Sequence, residues 1–344
     1  MQSLNNLAVI AAAGSRKTQH IIDCVIADPS KRVLVTTYTN ENLQQIVSRL
    51  SAGTGVLPNH VTVMGWFTFL LNECARPYQS FVLGETGMMG GLNFVGPRPR
   101  YIPKSKPQQY YLDRGKSAYR DGISALSVEA NKLSKGMVVD RLSQMYDHIF
   151  IDEIQDMAGY DLELLDLLMK SPIAVTVVGD PRQATFATNN ATKNKKYKGS
   201  GIVEWLATRT DLCLVENRVE SYRCNQDICD FADGLYPDLA RTVSKNTETT
   251  GHDGIFAIRK SGVLEYVEKY APMVLRWDKR VDTCGLDAMN MGTSKGSTFD
   301  RVLIFPTKPM ISYYQTRDCN QAGDRAKLYV AVTRAKYSTT FVMP

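Results

Sequence analysis

The chain lacks the features of a membrane-spanning, secreted or zinc-binding protein. Its 344 residues contain no apolar run near the ~18 residues that a membrane span needs. No basic segment precedes its first apolar stretch, as one would in a secretory signal. Its seven cysteines include no Cys-x-x-Cys pair, and there are only four histidines. We therefore expect no disulfide framework and no membrane contact, and we expect a cytoplasmic protein in a reducing compartment.

The composition is that of a globular protein with an uneven charge distribution. Hydrophobic residues make up 44% and charged residues 22%, which excludes a disordered chain. The length suits two domains of ~150 residues each. The net charge is +6, and the segment 76–136, with ten basic and four acidic residues, carries an excess of the same size. A polyanionic partner would be attracted most strongly to this segment.

Short apolar runs alternate with helical patterns along the chain. Such runs are typical of parallel strands covered on both faces, so the alternation predicts a doubly wound α/β sheet. A second series of runs follows a junction near 211–220. The predicted strands are 7–13, 32–38, 60–65, 148–153, 175–180, 254–259, 301–306 and 339–343, and the clearest helices are 41–50 and 160–170.

The segment "AAAGSRKT" (11–18) lies between a predicted strand and a predicted helix. In a P-loop, backbone N–H groups surround phosphates, a lysine reaches the β- and γ-phosphates, and a Ser or Thr hydroxyl binds Mg²⁺. Lys17 and Thr18 suit the last two roles. An alanine and Arg16 stand where the GxxxxGK[ST] pattern has its two glycines, so this segment alone leaves an ATP site open.

Two further strands end in polar side chains. "HIFIDEIQD" (148–156) places Asp152 and Glu153 at a strand end, where a carboxylate holds Mg²⁺ and a second one activates water. "VTVVGDPRQ" (175–183) places Gln183 where it could contact a γ-phosphate or its water. Surface acids and an ordinary turn are the alternatives for these two segments.

Two arginines in the second half could supply positive charge to a phosphate. Arg223 lies in "ESYRCN", and Arg334 ends the apolar stretch "LYVAVTRAK". Transfer of a γ-phosphoryl group is accelerated by such a charge. A solvated arginine is the alternative for each one taken singly.

Taken together and in order, these segments resemble superfamily 1 helicases of the UvrD/Rep/PcrA kind, in a short form. The resemblance covers most of the chain outside 76–136 and 232–285. Its eight segments are "AAAGSRKT", "VLVTTYTNENLQQIVSRL", "VTVMGWFTFLL", "IDEIQD", "VVGDPRQATF", "ENRVESYRC", "MGTSKGSTFDRVLIFP" and "KLYVAVTRAK".

The resemblance implies two RecA-like P-loop NTPase domains with parallel sheets, 1–215 and 216–344. A small basic insertion, 76–136, lies in the first, and a reduced insertion, 232–285, lies in the second. It also implies ATP hydrolysis with Mg²⁺ in the cleft between these domains, and translocation 3′→5′ along single-stranded DNA, with RNA left open.

The family's functional residues carry over onto matching positions. Catalytic roles fall on Asp152, Glu153, Gln183, Arg223 and Arg334. Nucleotide binding falls on Gly14, Ser15, Arg16, Lys17, Thr18 and Thr298, with Thr18 and Asp152 also holding the metal. Contacts to nucleic acid fall on Thr39, Asn40, Phe67 and Phe186, although Phe186 could instead be core packing.

The chain departs from the family in three places. The glutamine motif that reads adenine normally lies well before the P-loop, but only sixteen residues precede Lys17. Selectivity for adenine therefore stays open. In the segment around Thr298, this threonine replaces a family glutamate that meets the ribose, and Gly292 replaces a histidine. The chain is also much shorter than the usual members.

The insertion combines cations with tyrosines, a mixture suited to single strands. We expect Arg98, Arg100, Lys104 and Lys106 to contact phosphates and Tyr101, Tyr110 and Tyr111 to stack on bases. A solvated irregular loop is the alternative.

Two further functions remain open. The chain could be a regulatory ATPase that senses nucleotide and nucleic acid and signals to a partner such as a nuclease, without unwinding alone. It could also be a viral RNA helicase of the same superfamily, since "YRC" occurs there too.

Overall fold

The computed structural model describes residues 5–95, 98–99 and 101–344. The strands are β1 (Leu7–Ala11), β2 (Val33–Thr37), β3 (Val61–Gly65), β4 (Gly91–Asn93), β5 (Ser117–Tyr119), β6 (His148–Asp152), β7 (Ala174–Gly179), β8 (Leu214–Arg218), β9 (Glu220–Ser221), β10 (Val243–Ser244), β11 (Gly254–Arg259), β12 (Met273–Arg276), β13 (Met289–Asn290), β14 (Phe299–Phe305) and β15 (Ala335–Met343).

Helices connect most of these strands. The α-helices are α1 (Lys17–Ala27), α2 (Asn40–Leu50), α3 (Trp66–Phe69), α4 (Ser80–Leu83), α5 (Pro107–Tyr111), α6 (Arg120–Leu133), α7 (Met137–Met145), α8 (Tyr160–Met169), α9 (Ile202–Ala207), α10 (Gln226–Asp233), α11 (Val263–Tyr270), α12 (Lys308–Thr316) and α13 (Arg325–Val332). A π-helical segment, Leu70–Ala75, follows α3, and short 3₁₀ segments include Ile154–Asp156 and Pro181–Gln183.

The first sheet has six strands in the order β3-β2-β6-β7-β1-β8. The pairs β2–β3, β2–β6 and β6–β7 are parallel. Every residue of β2 is buried, as is all of β1 and β6 after the first residue. Because both faces are covered, these strands consist mainly of apolar residues, and the sequence prediction of a parallel α/β sheet is confirmed.

The second sheet has five strands in the order β11-β15-β14-β12-β13, and every neighbouring pair is parallel. Its core combines side chains of β14 and β15 with those of α10 and α13, including Ile304, Phe341, Phe231 and Val332. The predicted strands near 254, 301 and 339 are confirmed as β11, β14 and β15. The shorter β12 and β13 were not predicted.

The segment 76–136 is more regular than its composition suggests. It contains α4, α5, α6 and a small parallel pair, β4–β5. Tyr110 and Tyr111, on α5, are 9% and 3% exposed, so the prediction that these two rings stack on bases is wrong. They form the core of the segment because α5 would otherwise have no apolar face to bury. Tyr101, at 86% exposure, faces solvent.

The chain forms two compact units. The first comprises the described residues of Met1–Val9, Thr18–Pro181 and Phe186–Glu216, and the second comprises Ile10–Lys17, Arg182–Thr185 and Asn217–Pro344. Across the described ranges, no helix combines the length and the apolar character needed to cross a membrane.

Candidate functional site

The loop after β1 approaches the segment after β9 closely. Gly14 has a φ of +77°, and a Cβ atom built there would lie 2.7 Å from both the Cβ of Arg223 and the Oγ of Ser221. Both the left-handed backbone and the lack of space require glycine at this position. Gly14 is therefore the one residue of the loop that has no acceptable substitute.

Arg16 also has a left-handed backbone, with a φ of 61°. Its guanidinium lies 3.9 Å from the ring centre of Tyr222. The backbone N–H of Tyr222 donates to the carbonyl of Gly14 (3.0 Å), and its hydroxyl donates to Glu220 (2.8 Å). The strain of a non-glycine residue, about 1–2 kcal/mol, is thus partly offset by a cation–π contact.

Lys17 begins α1, directly after this loop. The first turn of α1 contains no acidic residue, and helix N-termini favour anions. The Lys17 Nζ donates to the carbonyl of Ala12 (3.3 Å). The hydroxyl of Ser15 is buried and has no hydrogen-bond partner among the described residues. A buried hydroxyl beside a helix N-terminus and a lysine fits a phosphate group.

Asp152 and Thr18 come together at the carboxyl end of β6. The Thr18 hydroxyl donates to Oδ2 of Asp152 (3.2 Å), and Asp152 is only 3% exposed. Mg²⁺ is typically held by one or two protein oxygens, with phosphates and water completing the shell. No group of three His, Cys, Asp or Glu side chains suited to a metal occurs in the described residues. The pair fits a nucleotide-bound Mg²⁺ rather than a cation held by the protein alone.

Glu153 is held in place by two side-chain amides. Its Oε1 accepts from Nδ2 of Asn42 (3.3 Å), and its Oε2 accepts from Nε2 of Gln155. Gln155 in turn accepts from the backbone N–H of Asp180 (3.1 Å). A Cβ at Gly179 would lie 2.3 Å from Oε1 of Gln155, so glycine is required where β7 ends. The carboxylate thus has a fixed orientation.

The two predicted arginines meet at the end of α13. Nη2 of Arg334 donates to Oε1 of Gln183 (3.1 Å), and Nη1 of Arg223 donates to the carbonyl of Thr333 (3.0 Å). Arg334 is 1% exposed. In the same unit, the N–H of Ala13 donates to the hydroxyl of Tyr329 (3.3 Å). The loop after β1, Gln183 and both arginines therefore belong to one connected set of contacts.

Thr298, the residue proposed to meet the ribose, is exposed in the short link before β14. Its contribution to nucleotide binding stays a prediction.

Thr39 and Asn40 mark the start of α2. Thr39 is the N-cap, and its hydroxyl accepts from the backbone N–H of Asn42 (3.2 Å). Asn40 is exposed. The hydroxyl of Thr39 keeps one donor proton for a ligand while it caps the helix.

Phe67 and Phe186 belong to a cluster of four aromatic rings. Phe67 lies 5.6 Å from both Tyr38 and Phe94, and Phe186 lies 6.4 Å from Tyr38, between ring centres. Phe94 and Phe186 are 58% and 41% exposed. Exposed, clustered rings offer stacking surfaces to unpaired bases.

The basic residues of the insertion contact tyrosines. The guanidinium of Arg98 lies 3.7 Å from the ring centre of Tyr110. Nζ of Lys104 donates to the hydroxyl of Tyr160 (3.2 Å), a hydrogen bond that raises the pKa of Lys104. Lys106 is exposed, and Arg100 lies outside the described residues. Because its pKa is raised, Lys104 stays positively charged at neutral pH.

A family model for the viral superfamily 1 RNA helicase core domain matches residues 104–343, which is most of the chain. The chain belongs to this family. No curated protein sequence gives a significant match to the helicase core.

Two solved helicase structures share its fold. One is arterivirus nonstructural protein 10, with a TM-score of 0.52 and 15% identity, covering 98% of this chain and 60% of that one. The other is the same kind of protein in complex with DNA, with a TM-score of 0.52 and 16% identity, covering 99% and 61%. The helicase core described here thus spans about three fifths of the length of these structures.

The prediction of a superfamily 1 helicase core is confirmed, whereas the match is to the viral family and not to the UvrD/Rep/PcrA branch. Sequence reasoning missed Asn42, Tyr38, Phe94 and Tyr222. Asn42 and Tyr38 flank the "TN" of a segment that was singled out, so an amide or ring beside a known motif was the available signal. Tyr222 lies directly before Arg223 in "ESYRCN", so the same signal was available for it. Phe94 gave no signal, because its partner Phe67 belongs to a different segment.

Proposed function

We propose that this helicase core hydrolyses ATP with Mg²⁺ and uses the energy to move along single-stranded nucleic acid. The observation that carries the proposal is the 3.2 Å contact between Thr18 and Asp152. It joins the end of the phosphate-binding segment to the acidic end of β6, as a nucleotide-bound metal requires.

Each catalytic side chain has a proposed task. The backbone N–H groups of Gly14, Ser15 and Arg16 and the Lys17 ammonium bind phosphates, and Thr18 and Asp152 hold Mg²⁺. That ion would neutralise charge that develops on the phosphates. Glu153 accepts a proton from the attacking water. Gln183 orients this water, and the Arg223 and Arg334 guanidinium groups stabilise negative charge on the transferred group.

We propose that the strand contacts Thr39, Asn40 and the four-ring cluster of Tyr38, Phe67, Phe94 and Phe186, with help from the basic residues of the insertion. The family is one of RNA helicases, and one relative of the same fold is solved with DNA. Stacking and phosphate contacts do not depend on the sugar. We therefore expect this chain to bind both RNA and DNA single strands.

The first experiment is ATP hydrolysis by the purified chain. Hydrolysis is measured alone and with single-stranded DNA and RNA of the same sequence and length, at one salt concentration. Stimulation by either strand is expected, and absence of hydrolysis would refute the proposal. GTP in place of ATP tests whether the base is selected.

Direction and domain roles are part of the same proposal. We propose 1–215 and 216–344 as the two motor domains. The eight segments that resemble the UvrD/Rep/PcrA branch favour 3′→5′ movement, whereas the match to the viral family leaves the direction to experiment. Displacement of streptavidin from a biotin at the 5′ end of a strand, faster than from the 3′ end, is the expected result. Faster displacement from the 3′ end would assign the opposite direction.

A second candidate is a regulatory ATPase that works with a partner such as a nuclease. The observation that favours it is the altered loop after β1, where the non-glycine Arg16 has a left-handed backbone. ATP hydrolysis stimulated by single strands without streptavidin displacement from either end would favour this candidate.

A further inference from the structure

Asn42 contacts both the general base and the segment proposed to bind nucleic acid. We propose that Asn42 restrains Glu153 until a single strand binds at the start of α2, so that strand binding is coupled to hydrolysis. This inference rests on the proposed function of Glu153, Thr39 and Asn40.

The contacts of Asn42 run in two directions. Its side-chain Nδ2 donates to Oε1 of Glu153 (3.3 Å). Its backbone N–H donates to the hydroxyl of Thr39, the cap of the same helix (3.2 Å). One residue thus connects the first turn of α2 to the carboxylate of Glu153, directly after β6.

Asn42 lies on the buried face of α2, whose other buried residues are apolar. The buried residues of this helix are Asn42, Ile46 and Leu50, spaced four apart on one face. Asn42 is 8% exposed. A buried amide without a partner costs about 1–3 kcal/mol, so the hydrogen bond to Glu153 compensates for a polar group in the apolar stripe.

The hydrogen bond from Asn42 occupies Oε1 of Glu153, an oxygen that would accept the proton of the attacking water. With Asn42 on Oε1 and Gln155 on Oε2, both oxygens of Glu153 accept hydrogen bonds from amides. Hydrogen bonds to a carboxylate stabilise its charged form and weaken it as a proton acceptor. Release of Oε1 would free an acceptor for the attacking water while Gln155 keeps the side chain in place.

The contact is also easily broken. Its 3.3 Å length lies beyond the usual 2.7–3.2 Å range for an N–H···O bond. Asn40 is exposed two residues before Asn42, and Tyr38 of the ring cluster precedes the cap. Binding of a nucleic-acid strand could shift this turn by about 1 Å. The distance between Nδ2 of Asn42 and Oε1 of Glu153 would then be too long for a hydrogen bond.

The test compares Asn42→Ala and Asn42→Leu with wild type. Both variants remove the donor, and leucine keeps the side-chain volume. Gln45→Ala is the matched control, because Gln45 is an exposed amide on the same helix. Basal and strand-stimulated ATP hydrolysis, KM for ATP, thermal unfolding and the affinity for a fluorescently labelled strand without nucleotide are measured for each.

We expect the basal rate of both Asn42 variants to rise about tenfold, the size expected for one hydrogen bond to a charged group. Their stimulated rate, their KM and their strand affinity should stay near wild type, so that the ratio of stimulated to basal rate falls. The control should keep the wild-type ratio.

Two results would overturn the inference: an unchanged ratio in the folded variants, or a lower ratio caused only by a lower stimulated rate. A wild-type chain that hydrolyses ATP without stimulation would refute the proposed translocation instead. In that case the basal rates of the variants still decide whether Asn42 restrains Glu153.

Discussion

Replacement of Arg16 tests how the backbone and the side chain each contribute in the loop that we propose to bind phosphates. Arg16 has a left-handed backbone, with a φ of 61°, and its guanidinium lies over Tyr222. Arg16→Gly removes the backbone strain and the cation–π contact together. Arg16→Ala removes the contact but keeps the strain.

The magnitudes follow from three terms: the backbone strain, the cation–π contact and the conformational freedom of the unfolded chain. A non-glycine residue in the left-handed region costs about 1–2 kcal/mol, and a cation–π contact with a ring as exposed as Tyr222 contributes about 0.5–1 kcal/mol. Glycine gives the unfolded chain more conformational freedom, which lowers the free energy of unfolding by about 0.5–1 kcal/mol. Arg16→Gly should therefore lie within about 1 kcal/mol of wild type, and Arg16→Ala should be the least stable of the three.

Thermal unfolding of the full chain and binding of a fluorescent ATP analogue test this reasoning. Arg16→Gly should bind the analogue about as tightly as wild type, because the proposed phosphate contacts are made by backbone N–H groups and glycine supplies the same group. An Arg16→Gly chain that is less stable than Arg16→Ala would refute the strain argument. A tenfold loss of affinity in Arg16→Gly would instead show that the guanidinium contacts phosphate.

Three further predictions concern the base, the insertion and the first sheet. Glu153→Gln should bind nucleotide normally but lose at least about 100-fold in turnover, and normal turnover would reject Glu153 as the base. Lys17→Ala should lose nucleotide binding. In the double variant Lys104→Gln/Lys106→Gln, the slope of log K for nucleic-acid binding against log salt concentration should be shallower by about 0.7 for each lost phosphate contact. Replacement of the exposed Lys279 by Gln should leave this slope unchanged. Burial lowers the pKa of His148 from 6.5 to about 4, so the unfolded chain takes up the proton first as the pH falls. The free energy of unfolding should drop by about 1–2 kcal/mol between pH 7 and pH 5, and His148→Gln should reduce this drop in a thermal unfolding series.

The fold could be predicted wherever the strands are buried on both faces. β1, β2, β6 and β7 are mostly apolar, and each starts and ends within two residues of the predicted run. β12 and β13 escaped prediction because four and two residues carry too little periodicity. Segment 76–136 was misjudged in part, since its glycines and prolines hid the apolar face of α5.

The site could be predicted as a set of motifs but not as a set of contacts. Asp152, Glu153 and Gln183 were found from their places at strand ends, and the other motif residues from the family resemblance. The side chains that fix them come from other segments: Asn42 from α2 holds Glu153, and Tyr222 from the link after β9 holds Arg16. Such pairs depend on how the sheet brings distant segments together, which no local pattern encodes.

The strand order of the first sheet has a consequence for synthesis. β1 is translated before the other strands of this sheet, and its neighbours, β7 and β8, are translated far later. At ~5–20 residues per second, the stretch from Ala11 to Ala174 takes on the order of 10–30 s to emerge. During that time the apolar "LAVIA" strand has no partner, so a nascent-chain chaperone would find its binding segment there. A ribosome-bound chain should gain affinity for nucleotide only after β7 has left the exit tunnel.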